Sequence, residues 1–151
     1  MRHIEIALLA VLLSVPAMSC KSSRSGPVLA GAWRTSPEDL PYAGKTPRIR
    51  TVSYNLMLTS EEGAPLDGTG SFSPFFSSDD YQHVQKEDQP ATAFAWTLAD
   101  GKLTMTLKGE PGGTCVGEVP DAGGAITVKV AGCAPLEANV GADVVTFARR
   151  E

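Results

Sequence analysis

Residues 91–108 read ATAFAWTLADGKLTMTLK, and their pattern decides the fold. Phe94, Trp96 and Leu98 alternate with small or polar residues, Asp100-Gly101 follows, and Leu103, Met105 and Leu107 resume the period of two. An Asp-Gly pair between two alternating runs is a strong short-range signal for a β-hairpin. One face of that ribbon is a row of large apolar side chains, which two strands alone cannot shield from water. The rest of the chain has to supply the strands that cover it.

Upstream of this hairpin, residues 28–35 (VLAGAWRT) open the domain as a strand anchored on Trp33. Residues 36–46 read as loop, because Pro37, Pro41 and Gly44 break any regular element. Residues 47–59 form a long strand in which Val52, Tyr54, Leu56 and Leu58 alternate cleanly; the change of parity after Ile49 predicts a bulge or a strand entrance. After a turn at 60–68, residues 69–76 carry Phe72 and either Phe75 or Phe76 as apolar payload, with Pro74 marking an edge or a bulge. Residues 77–90 are the longest polar connection. There Asp79 or Asp80 is a candidate cap for a short helix through Tyr81, Val84 and Gln85, although YQHVQ also alternates.

Downstream, GEPGG (109–113) is a turn, 114–119 a short strand and DAGG (121–124) another turn. AITVKV (125–130) places Ile126, Val128 and Val130 on one face, 132–141 is loop, and 143–149 is the closing strand. The 15 Gly and 11 Pro residues separate short alternating runs, a pattern that favours an all-β domain over a helical one. About eight strands joined by short turns become sequential antiparallel neighbours. The expected fold is therefore an antiparallel up-and-down barrel, with an open β-sandwich of the same strands as the alternative. At 151 residues the chain accommodates one such domain, spanning 28–151.

Residues 1–19 stand apart. Arg2 supplies a short positive start and residues 4–15 (IEIALLAVLLSV) an apolar run interrupted by Glu5 and ended by Pro16. The run is too short to cross a bilayer of roughly 30 Å and has the flanks of a secretory signal peptide. Ala17 and Ser19 satisfy the small-x-small rule of ordinary signal peptidase, which would release a soluble protein. Yet Ala17-Met18-Ser19-Cys20 also resembles the lipobox of bacterial lipoproteins, a family that prefers Leu where Ala17 stands. That resemblance implies a diacylglyceryl group on the Cys20 thiol and acylation (palmitate) of the freed amine. Residues 20–27 then become the lipidated Cys and a polar tether (KSSRSGP). By the same resemblance, Lys21 after the cysteine favours the outer membrane of a Gram-negative envelope.

Gly31-Ala32-Trp33 in the first strand, followed by about seven more strands and a late arginine, resembles the lipocalin-like barrels. In that family the Trp packs across the closed end of the barrel, and an Arg from the last strand lies over it. Arg149 or Arg150 fits that part, a cation over an aromatic face. The resemblance implies barrel-end packing of Gly31, Trp33 and Arg149, and an interior in which Phe94, Trp96, Met105 and Phe147 are the candidate ligand-facing side chains.

Other chemistry is sparsely provided for. His83 is the single histidine of the mature chain and lies in a polar stretch, and no nucleophile elbow accompanies it, so no catalytic residues are assigned. One His and two Cys expected to be oxidised do not make a zinc set, no calcium-loop pattern occurs, and no cofactor is expected. Asp79-Asp80 with Glu87-Asp88 reads as a solvated acidic loop. A net charge of −4 with scattered Lys and Arg argues against nucleic acid as a partner.

Three cysteines are an odd number for an exported chain. With Cys20 lipidated, Cys115 and Cys133 remain as a pair in a compartment where disulfides persist. A tight turn near Gly123-Gly124 would set Cys115 opposite Lys129 or Val130, short of Cys133. A bridge therefore needs a wider loop or bulge, a diagonal pairing, or a tie from the segment after Val130 back to the strand. Two functional expectations follow for a monomeric, non-enzymatic envelope lipoprotein held to the membrane by its lipid. One is a binding module carrying a small apolar or amphipathic ligand inside the barrel. The other is an interaction or inhibitor protein with a filled barrel that meets an envelope protein through its loops, the general build of small periplasmic lysozyme-inhibitor lipoproteins.

Overall fold

The computed structural model describes residues 28–151 apart from 63, 65, 81–83, 85–88, 111 and 121–122. The expected signal peptide, Cys20 and its tether lie outside the described residues, as do His83, Glu87 and Asp88.

Among the described residues nine strands form one antiparallel sheet: β1 (Gly31–Thr35), β2 (Leu40–Pro41), β3 (Ile49–Thr59), β4 (Asp67–Ser78), β5 (Thr92–Ala99), β6 (Lys102–Leu107), β7 (Thr114–Glu118), β8 (Ala125–Lys129) and β9 (Val144–Arg149), with a one-turn helix α1 (Ala134–Glu137) between the last two. From β3 to β9 each strand pairs with the next, and β1 closes the circuit by pairing with both β9 and β3. The result is a closed eight-stranded barrel with β2 as an extra strand on β3. Closure leaves no room for the open sandwich.

The central hairpin forms as its sequence dictates. Asp100 (φ 52°) and Gly101 (φ 74°) both take positive φ, the conformation that matches the twist of a two-residue hairpin. Their turn sets Phe94 opposite Leu107, Trp96 opposite Met105 and Leu98 opposite Leu103. All six side chains are buried. The parity change after Ile49 is a register irregularity between Ile49 and Thr51, as expected. Pro74 also has a clear cause. β4 pairs with β5 only as far as Phe72, so Pro74, which has no N–H to give, sits where one side of β4 has no β5 neighbour. Of the two phenylalanine options, Phe76 is the buried one.

Three local expectations are corrected. The 36–46 segment contains β2, because Leu40 and Pro41 lie alongside Val52 and Thr51 and an edge strand tolerates proline. The 132–141 loop contains α1, begun at Cys133 with Pro135 in its first turn, where a missing N–H costs nothing. In the expected helix after Asp80, Val84 instead exchanges backbone hydrogen bonds with Phe76 at 2.8 and 2.9 Å, so tertiary pairing outweighs the local cap. Tyr81 and Gln85 lie outside the described residues.

Alternation of strands sorts the connections between the two ends of the barrel. The junctions from β3 to β4, β5 to β6 and β7 to β8 share one end with residues 28–30 and the end of β9. The described residues of 36–48, 79–91, 108–113 and 130–143 gather at the other, the loop end.

Candidate functional site

The hairpin end is closed by a clamp between Trp33 and Arg149. Trp33 is fully buried, and its Nε1 donates to the Leu29 carbonyl at 2.9 Å. Antiparallel pairing sets Arg149 beside Trp33, and the guanidinium carbon stands 4.4 Å from the ring centroid. The same guanidinium donates from Nη1 to the Ala30 carbonyl at 3.0 Å and from Nη2 to the Val28 carbonyl. Gly31 is required here: it has φ +138°, and a Cβ would come within 2.7 Å of Arg149 Nη1. Arg150 contributes only its backbone, N–H to the Ala32 carbonyl at 2.9 Å.

The interior holds the four side chains singled out as ligand-facing. Phe94, Trp96, Met105 and Phe147 all point inward and are at most 1% exposed. They pack within the core. Phe72 of β4 meets Phe94 at a centroid distance of 5.0 Å and reaches Phe147 of β9 at 6.0 Å. β4 and β9 are not neighbours in the sheet, so the second contact crosses the barrel. Gly70 makes space for this cluster, since a Cβ there would lie 2.6 Å from the Phe94 ring. Trp96 turns its Nε1 to the Thr59 and Thr69 carbonyls, at 3.1 and 3.0 Å, which satisfies the one polar atom it buries.

At the loop end, α1 covers the barrel. Leu136 is fully buried in the core. Cys133, at the start of α1, is bonded to Cys115 of β7 with a Cα separation of 4.6 Å. The register places Gly117 opposite Val128, which projects Cys115 toward Val130. The bridge is therefore the third of the expected geometries, tying the segment after Val130 back to the strand. Tyr54, pointing up from β3, donates its hydroxyl to the Pro135 carbonyl at 2.6 Å and accepts from Asn139 Nδ2 at 2.8 Å. Burial in this low-dielectric setting pushes the Tyr54 hydroxyl well above its ordinary titration range. The Asn139 backbone carbonyl accepts from the Ala43 N–H at 2.8 Å, so the segment after α1 is also tied to the loop beyond β2.

Beside α1 lies a cleft of about 340 Å³, walled mainly by Pro74, Pro90, Pro135 and Ala138, with Thr92 and Asn139 as polar contributors. A larger trough of about 850 Å³ runs over the outer wall at β6, β7 and β8; there Lys102 and Lys129 are balanced by Asp100 and Glu118. Its balanced charge defines no ligand class. Asp79 and Asp80, read as solvated acids, approach Arg50 at 3.3 Å and Arg48 at 3.9 Å in exposed pairs worth little to stability. Among the described residues no group of three or more His, Cys, Asp or Glu gathers to hold a metal ion.

Sequence reading missed the Tyr54–Asn139–Pro135 arrangement. Tyr54 looked like any inward strand residue, and Asn139 meets it only because α1 folds over the barrel. Compared with known protein families, curated proteins and solved structures, the chain matches none. Its class rests on its own geometry: a small, closed, lipocalin-like antiparallel β-barrel.

Proposed function

We propose that this protein is a lipid-anchored envelope lipoprotein whose barrel is a filled scaffold, and that it acts non-enzymatically by presenting its loop end to an envelope protein. The observation that carries this reading is the interior. The ring contacts from Phe72 to Phe94 and across to Phe147 occupy the space that a carried ligand would need. An eight-stranded barrel is just wide enough for its side chains to fill. Carriage of an apolar ligand inside the barrel, the other expectation, would require these rings to part.

The lipobox-like residues 17–20 support the anchor, and the clamp at Arg149 supports a direction. Arg149 holds residues 28 and 30 at the hairpin end, so the tether leaves there and the loop end faces away from it. An anchored barrel held in this way offers α1 and the long connections to the envelope space.

The test combines anchoring and orientation. The wild-type protein should incorporate labelled palmitate and stay with outer membranes, and Cys20→Ser should do neither. Photo-crosslinkers placed at Asp79 and Glu137 should give discrete protein adducts in cells, and crosslinkers at Glu61 and Glu118 should not. Saturable uptake of an apolar fluorophore that quenches Trp33 and Trp96, with no loop-end adducts, would replace this reading by ligand carriage.

A further inference from the structure

A residue lining the loop-end cleft buries a polar atom whose hydrogen-bonding capacity is unmet among the described residues. Asn139 is 3% exposed and lines the cleft, yet its Oδ1 has no hydrogen-bond partner among the described residues. The surrounding donors fix which end of the carboxamide is which. The single O–H of Tyr54 goes to the Pro135 carbonyl, so the Tyr54 oxygen can only accept from Asn139, and Nδ2 faces it at 2.8 Å. Nδ2 also lies 3.4 Å from the Pro135 carbonyl, where an oxygen would be repelled. Exchanging oxygen and nitrogen would break both contacts. Oδ1 is therefore left as an acceptor, and native folds rarely leave buried acceptors unsatisfied without a use for them.

The cleft around it has the character of a small-ligand site. Its volume of about 340 Å³ suits one ring system or one large side chain. Proline and alanine surfaces make most of its wall, and Glu110 is the one ionisable side chain among its described lining residues, which disfavours an anion.

We propose that this cleft binds a small apolar group carrying one N–H or O–H donor, and that the donor hydrogen-bonds to Asn139 Oδ1. Oδ1 is shielded from water in this conformation, so the ligand reaches it by displacing part of the cleft wall. The site deepens the loop-end reading and rests on it only for the source of the group, a partner's side chain or a free small molecule. Apolar walls supply the affinity and the buried acceptor the selectivity, because an analogue without a donor leaves Oδ1 unpaired.

Indole is a suitable probe, and N-methylindole is its counterpart of nearly the same shape without the donor. Each is titrated into the full chain carrying Cys20→Ser and followed by amide NMR. Indole should give saturable shifts centred on Thr92, Ala134, Ala138 and the Asn139 side-chain amide. N-methylindole should bind about tenfold more weakly, the worth of one hydrogen bond. Ala138→Leu fills the cleft from an exposed position without touching the Asn139 contacts, and should abolish the shifts while leaving the rest of the spectrum in place. Equal binding of both probes, shifts that do not saturate or lie elsewhere, or indifference to Ala138→Leu would overturn the proposal. An acetylated Gly-Trp-Gly amide separates the sources: binding of peptide and indole assigns a partner's side chain, and binding of indole alone assigns a free small molecule. Loss of loop-end crosslinks with indole binding intact would remove the partner reading and keep the site.

Discussion

Arg149 stacks its guanidinium 4.4 Å from the centroid of the Trp33 ring while giving hydrogen bonds to the carbonyls of Ala30 and Val28. One side chain thus fastens the last strand to the segment that precedes the first. The two termini of the domain are joined at the end where the barrel closes, and the direction in which the chain leaves the barrel is set there.

Removing that clamp should cost stability locally first. Arg149→Ala loses a partly exposed cation–π contact and charge-assisted hydrogen bonds, together about 1–3 kcal/mol. Hydrogen exchange should show faster amides in residues 28–31, with little change at the loop end. Gly31→Ala should destabilise by a comparable amount, since its positive φ disfavours a side chain and a Cβ would displace Arg149.

Trp33→Ala should be among the most damaging single substitutions. It deletes a fully buried ring and leaves a large cavity, for about 3–5 kcal/mol. The midpoint of denaturant unfolding reports it directly; an unchanged midpoint would mean that the ring contributes nothing to closing the barrel.

Opening the Cys115–Cys133 bridge should loosen the cover over the loop end. With a sequence separation of 18, the chain-entropy account gives about 3 kcal/mol for the crosslink. Denatured but unreduced Cys20→Ser protein should show no alkylatable thiol by mass spectrometry. Cys115→Ala with Cys133→Ala should unfold at lower denaturant and expose the amides of α1 to exchange.

Tyr54 should make the protein sensitive to base. Its hydroxyl is held neutral by burial, so its folded pKa lies above the ordinary tyrosine value of about 10. Below that value the hydroxyl is neutral in both states and stability is unaffected. As pH rises past about 10 the unfolded chain releases this proton and the folded one does not. Unfolding is then favoured by up to about 1.4 kcal/mol per pH unit from this group. Tyr54→Phe should lose about 1–3 kcal/mol at neutral pH, because Asn139 and the Pro135 carbonyl forfeit their partner. It should also show a flatter decline between pH 10 and 12 than the wild type, as urea titrations at each pH would reveal.

The strands were legible in the sequence because a period of two, a D-G turn and a parity change are local facts. Residues 91–108 imply their own hairpin, and the neighbours of Trp96 and Phe94 follow from it by counting. Gly31, Trp33 and a late arginine suggested the clamp through their resemblance to lipocalin-like barrels, and antiparallel closure, which brings the first and last strands together, realises it. Closure itself, the filling of the interior and the choice of Arg149 over Arg150 depended on the tertiary structure. They turn on which faces the strands present once the sheet curls, and a one-residue difference in register exchanges inside for outside.

The loop end was the least legible part. A four-residue helix gives too short a pattern to read, and its position over Tyr54 comes from a disulfide and a buried hydrogen-bond set joining segments about 80 residues apart, as between Tyr54 and Asn139 (|i−j| = 85). Sequence alone determined the main strands, the turns and the pairing of Cys115 with Cys133, because each rests on local spacing or on the parity of a few residues. Only the tertiary structure decided that Arg149 is the arginine over Trp33, that the barrel is packed with its own rings, and that Asn139 keeps an acceptor unpaired among the described residues beside a cleft. All three depend on side chains distant in sequence coming to share a small volume.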